Sequence, residues 1–194
     1  MDSKIFVIGF NKCGTTTIHN YFRSNSIPSV HWCTNGIFGN VSNIIHRNDK
    51  NKKKLLDGID NYKVYSDMEY VSLFGKISYA NERYFKKLDE QYPNSKFIFN
   101  TRNIDNWIRS RNNHLNSLYS RILMLKTGLS KIELNNKWRQ DYYKHFNNVV
   151  NYFSNKPNKL LIFNIEKDSP KKINIFLKDL KLDESKYIIK NKTK

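Results

Sequence analysis

The stretch Gly9-Phe10-Asn11-Lys12-Cys13-Gly14-Thr15-Thr16-Thr17 gathers residue types suited to holding a phosphate. Gly9 and Gly14 let the backbone turn tightly and bring its N–H groups close to an anion. Lys12 adds a full charge, and the three threonines add hydroxyl donors. The glycines have the separation of an ATP- or GTP-binding loop, in which a lysine follows the second glycine. Here Thr15 stands in that lysine's place, and Lys12 lies two residues before Gly14. Midway along the chain stand Arg102, whose guanidinium has forked donors, and Ser110, whose hydroxyl is one more donor. Between the first stretch and Arg102 lie Asp67 and Glu69, carboxylates at the end of an apolar run.

The elements around these residues follow from hydrophobic periodicity. Lys4–Ile8 reads as a buried strand, and Thr15–Ser24, with Ile18, Tyr21 and Phe22 at helical spacing, as the helix that would aim its unpaired N-terminal amides at the anion. Pro28–Trp32 is a short second strand. Residues 33–62, rich in Asn, Gly and Lys, are expected to form a surface insertion with one helix over Val41–Arg47. Tyr62–Asp67 is the next strand, which puts Asp67 at a carboxyl end, where open α/β sheets build their ligand crevice. A helix is expected over Val71–Gln91, burying Leu73, Ile77, Tyr84 and Leu88. Lys96–Thr101 is apolar enough to be a central parallel strand, with Arg102 at its tip.

Trp107–Phe153 reads as mostly helical, with Leu115, Leu118, Ile122, Leu125, Val149 and Val150 interleaving with its aromatics as core. Ser130 and Glu133 form a capping box there. Leu160–Glu166 is a further strand, followed by a helix opened by Ser169-Pro170 and running to about Leu180. The end, 186–194, reads as a basic, solvated tail. Strands alternating with helices give an α/β fold of three layers, α/β/α, with a mainly parallel sheet in one domain.

With 194 residues and a formal charge of +17, the chain carries a positive field that draws anionic partners without choosing among them. Two cysteines, Cys13 and Cys33, are too few for a disulfide framework or a four-cysteine zinc site. No run approaches the roughly 18 apolar residues of a membrane span, and no basic-then-apolar leader precedes the first strand. A soluble, intracellular protein is expected.

The order K-x-G-T-T, followed about ninety residues later by an arginine ending a strand and a serine eight positions on, beside Trp107, resembles the sulfotransferases that use 3′-phosphoadenosine 5′-phosphosulfate (PAPS) and need no metal. The resemblance implies a P-loop-like sulfotransferase architecture and metal-independent transfer of a sulfonate to a hydroxyl or amine. The acceptor would be a small molecule, a glycan or a protein side chain. It also implies that Asn11, Lys12, Cys13, Gly14, Thr15, Thr16 and Thr17 hold the 5′-phosphate, with Lys12 catalytic, and that Arg102 and Ser110 hold the 3′-phosphate. The position matching the family's base is Asp67; Glu69, His31 and His114 remain candidates. The Arg-Lys-Gly segment of the animal enzymes is missing, and Lys167, Lys171 or Lys172 would have to substitute for it. Two other classes fit parts of the sequence: a magnesium-dependent nucleotide kinase or NTPase with Asp67 on the metal, and a non-catalytic basic protein that binds polyanions through surface charge. Nucleic acid as the main partner is disfavoured, since no aromatic RNA-binding strand signature is present.

Overall fold

The computed structural model describes residues 3–34, 39–72 and 76–190. Five strands form one parallel sheet: β1 (Ile5–Val7), β2 (Ser29–His31), β3 (Val64–Ser66), β6 (Lys96–Thr101) and β7 (Leu160–Asn164), in the order β2-β3-β1-β6-β7. Alternation along β1 divides the core. Phe6 and Ile8 face one side, with Tyr65, Phe97 and Phe99. Ile5 and Val7 face the other, with Val64, Ile98 and Phe163. Both faces of a parallel sheet must be covered, and they are. Helices α2 (Val41–Lys50), α4 (Phe85–Gln91) and α7 (Lys131–Phe153) cover the first; α1 (Thr15–Ser24) and α8 (Lys171–Phe176) cover the second. This is the expected three-layer α/β/α arrangement.

A third cluster sits at the carboxyl ends of the strands. There Phe10, Cys13, Trp107, Tyr119, Leu134, Trp138 and Tyr142 pack together, joining the first loop to α5 (Ile104–Asn112), α6 (Leu118–Thr127) and α7. The Ser130–Glu133 capping box opens α7 as its residue types require.

The structure corrects the sequence reading in four places. The stretch 33–62 is not a surface insertion: Val41, Ile45, Leu55 and Leu56 are buried in the first core cluster. The apolar positions 41, 44 and 45, with the buried Asn48, repeat at helical spacing, so α2 turns one face inward. The helix expected over Val71–Gln91 begins instead as an antiparallel hairpin, β4 (Glu69–Val71) with β5 (Ile77–Tyr79), before the short α3 (Ala80–Arg83) and α4. Ser42 Oγ, donating to the Ser78 carbonyl at 3.0 Å, ties that hairpin to α2. Ile77 is exposed, and Leu73 lies outside the described residues. Leu115, Leu118 and Leu125 are exposed rather than core, because α6 packs through Tyr119 and Leu123. Finally, the tail over 186–194 is pinned at Tyr187, which packs on Tyr21 and Phe163, while 186 and 188–190 are exposed and 191–194 lie outside the described residues.

Candidate functional site

The loop after β1 is held from three directions. The buried Asn100, on the neighbouring β6, accepts from the Gly9 amide at 2.9 Å and donates to the Cys13 carbonyl at 2.9 Å. Trp107 on α5 donates from its indole to the Asn11 carbonyl at 2.9 Å. Glu69 on β4 accepts from the Asn11 amide at 2.6 Å and pairs with the buried Arg111 at 3.1 Å. The Arg111 guanidinium lies between the rings of Trp107 and Trp138, 4.8 and 4.9 Å from their centroids. A desolvated pair flanked by aromatic rings fixes one geometry more than it adds stability. Its consequence is a rigid loop.

Rigidity matters because the loop is strained. Lys12 has φ 64°, and Gly14 follows at φ 82°. Left-handed backbone costs a non-glycine residue about 1–2 kcal/mol, which the three tethers offset. Gly14 is required twice over: a Cβ there would also lie 2.4 Å from Ile165. As the N-cap of α1, Gly14 has no side chain to cap the helix, so the opening amides of α1 are left facing an anion site.

A cavity of about 430 Å³ opens on this loop. Asn11, Lys12, Gly14, Thr15, Thr16, Thr17, Asp67, Arg102 and Ser110 all line it, together with His31 and His114. The structure thus brings the early loop and the midway arginine and serine to one cavity. Arg102 donates from Nη1 to the Lys12 carbonyl at 3.1 Å. Ser110, buried on α5, lines the same wall.

Cys13 is the exception among the loop residues. Its side chain is fully buried in the aromatic cluster and is not part of the cavity lining. Burial pushes its thiol well above the usual range, so the side chain is packing rather than a ligand contact. Lys167, Lys171 and Lys172 do not line the cavity either; Lys172 is paired with Asp168 at 2.8 Å. They lie on and before α8, past the turn that ends β7.

The candidate bases separate cleanly. Glu69 spends one oxygen on the Asn11 amide and the other on Arg111, and it does not line the cavity. His31 lies with Nε2 3.2 Å from Thr15 Oγ1 and 3.4 Å from Asp67 Oδ2. Burial lowers its pKa to about 4, so it is neutral at pH 7 and acts as a hydrogen-bond partner, not as an ion-pair cation. His114 Nδ1 lies 3.4 Å from Lys12 Nζ, and burial, then the charge of Lys12, lowers it to about 4. An unprotonated Nδ1 facing an ammonium accepts from it. Burial also lowers the pKa of Lys12 itself, against the opposing pull of Asp67.

Asp67 differs from all of these. It also has left-handed backbone, φ 52°, just beyond β3. Burial raises its carboxyl to about 7, partly offset by Lys12 and Arg111. Its side chain is 16 % exposed, yet Oδ1 is buried and has no hydrogen-bond partner among the described residues. A buried acceptor without a partner costs about 1–3 kcal/mol, and protonation of the carboxyl reduces that cost.

Two lining features were not foreseen. Glu166, just past β7, accepts from Arg102 Nη2 at 2.8 Å, from Arg102 Nε at 3.1 Å and from the Asn103 amide at 2.9 Å. Three of the five N–H donors of Arg102 are therefore committed to protein, and two remain for a ligand. The signal was available: β7 follows β6 in the sheet, so its tip must adjoin Arg102. Ile189 and Lys190 also line the cavity. Their place depends on how the last segment folds back, which no local pattern announces. Among the described residues, no group of three or more His, Cys, Asp or Glu is arranged to hold a metal ion. No described helix is long and apolar enough to cross a membrane.

A family model described as a sulfotransferase domain matches residues 4–160, well over half of the chain. No curated protein matches significantly.

Proposed function

The chain belongs to the sulfotransferase domain family, and on that premise we propose that it transfers the sulfonate of PAPS to a hydroxyl or amine of an acceptor. The observation that carries this reading is the convergence of Lys12, Arg102 and Asp67 on one cavity. A cavity of about 430 Å³ falls in the range that encloses a small ligand.

In this mechanism the α1 amides with Thr15, Thr16 and Thr17 grip the 5′-phosphate. The two uncommitted N–H groups of Arg102, with Ser110, hold the 3′-phosphate. Lys12 donates to the oxygen that bridges sulfur and phosphorus, so the electron pair left there when the S–O bond breaks meets a fixed cation. His114, neutral, accepts from Lys12 and orients it. Asp67 accepts the acceptor's proton as the new bond to sulfur forms. A carboxyl raised to about 7 suits that task, because a base works best near the ambient pH. His31 holds Asp67 Oδ2 and completes the wall between the base and the threonines.

Calorimetric titration with 3′-phosphoadenosine 5′-phosphate (PAP) tests the donor, and ATP with magnesium serves as the comparison. Tight binding of PAP alone is expected. Preference for ATP–magnesium would replace the proposal with phosphoryl transfer. Binding of both that falls steeply with salt and survives Lys12→Ala would replace it with polyanion binding by surface charge.

A further inference from the structure

We propose that Lys190 is a donor-binding residue, delivered to the 5′-phosphate end of the cavity by a segment that zips along helix α1. This rests on the PAPS reading above and adds a cation that lies outside the matched family region, residues 4–160.

The path of the segment is fixed at three points, each one helical turn from the next on α1. The Asp183 amide donates to Asn25 Oδ1 at 2.7 Å, at the carboxyl end of the helix. The Tyr187 ring meets Tyr21 edge-on, 5.3 Å between centroids, and a second ring contact reaches Phe163. The Lys190 amide then donates to Thr17 Oγ1 at 3.0 Å, in the first turn. Residues 25, 21 and 17 are four apart, so they share one face of a helix. The segment runs antiparallel to α1 and stops where the anion cradle begins.

Two consequences follow for the cavity. A hydroxyl that accepts from a backbone amide keeps its own proton to donate, so the Lys190 amide leaves Thr17 Oγ1–H available to a ligand. Lys190, exposed at the end of this segment, is among the residues that line the cavity, and its ammonium would come within reach of it. Glu166 offsets the charge of Arg102, and burial weakens the hold of Lys12 on its proton. A donor phosphorylated at both ends would be held more firmly by a further cation. The chemistry Lys190 would recognise is a phosphate oxygen beside the opening turn of α1.

The test is PAP binding by calorimetry in the full chain, for wild type, Lys190→Ala, Lys190→Arg and Lys171→Ala. Alanine at 190 removes the ammonium but keeps the amide bond to Thr17. Lys171 is exposed and off the cavity, so its variant removes the same unit of charge elsewhere. Lys190→Ala is expected to weaken PAP roughly tenfold, the size of one charge-assisted hydrogen bond. Lys190→Arg should restore most of the affinity, and Lys171→Ala should leave it unchanged. Equal binding by wild type and Lys190→Ala, or equal losses at 190 and 171, overturns the assignment while the donor reading stands. Failure of the wild type to bind PAP overturns the donor reading, and the role of Lys190 falls with it.

Discussion

Arg102 donates from Nη1 to the main-chain carbonyl of Lys12, 3.1 Å away and ninety residues earlier in the chain. The contact joins the tips of β1 and β6, which are neighbours in the sheet. One guanidinium therefore braces the left-handed turn at Lys12 and presents its remaining N–H groups to the same cavity. The two anion-binding groups are parts of one object, and variants in either should report on both.

Lys12→Ala is expected to lower the rate of sulfonate transfer by about 10²–10³, the usual effect of removing one preorganised donor from a developing charge. PAP affinity should fall much less, because the α1 amides remain. Initial rates and calorimetry on the same preparation check the split. A wild-type rate would remove Lys12 from the chemistry.

Arg102→Ala should weaken PAP more than adenosine 5′-phosphate, since its uncommitted donors would serve the 3′-phosphate. The expected gap is roughly tenfold to a hundredfold, the range for hydrogen bonds to a charged group. Glu166→Gln keeps the shape but loses the charge that orients Arg102. An intermediate loss of PAP affinity is expected there, read by the same titrations.

The proposed role of Asp67 as the base predicts the pH dependence of the rate. Its carboxyl, raised to about 7 by burial, must be deprotonated to accept a proton, so the rate should climb as pH rises toward 7 and level off above it. Asp67→Asn should lose both the rate and that limb of the profile. The sign for stability is opposite. The unfolded carboxyl loses its proton near 3.8 and the folded one near 7, so its contribution to stability declines between those values as pH rises. Asp67→Asn should therefore melt higher than wild type at pH 7.5, by calorimetry or circular dichroism.

Histidines should dominate the acid side. Burial lowers His19, His31, His114 and His145 to about 4, so each is neutral when folded and binds a proton when unfolded below about 6.5. Each removes stability as pH falls through that window. Asp67 and Glu69 act the other way, but there are fewer of them. Denaturant midpoints should peak near pH 6.5 and drop by pH 4.5. A midpoint that rises toward pH 4.5 would contradict these burial assignments.

Gly14→Ala should cost more than the roughly 1 kcal/mol of an ordinary substitution. Left-handed backbone accounts for about 1–2 kcal/mol, and the contact with Ile165 adds to it. Pairing it with Ile165→Ala, itself measured alone, should recover the steric part and leave the backbone part. Chemical denaturation of the four proteins in this cycle separates the two.

Local chemistry was enough to place β1, the phosphate turn and α1, because glycine spacing, a lysine and an amphipathic helix are all written in consecutive residues. The same holds for β6 with Arg102 at its tip, for Ser110 one face along α5, and for the capping box that opens α7. Periodicity failed where a long-range partner decided the outcome. Val71 and Ile77–Tyr79 have a pattern compatible with a helix, yet they lie in the antiparallel pair β4–β5, which is tied to α2 and carries Glu69 to Arg111. The apolar positions of 33–62 were masked by lysine and asparagine until α2 was laid on the sheet.

At the site, the sequence by itself determined which residues could hold an anion. Only the tertiary structure decided that they face one cavity, that Asp67 is buried with an unpartnered oxygen while Glu69 is spent on the loop, and that Glu166 and Lys190 join the wall. The reason is physical. Donor chemistry belongs to a residue type, whereas desolvation, pairing and proximity depend on parallel strands meeting at their tips, which brings together residues that lie far apart in the chain.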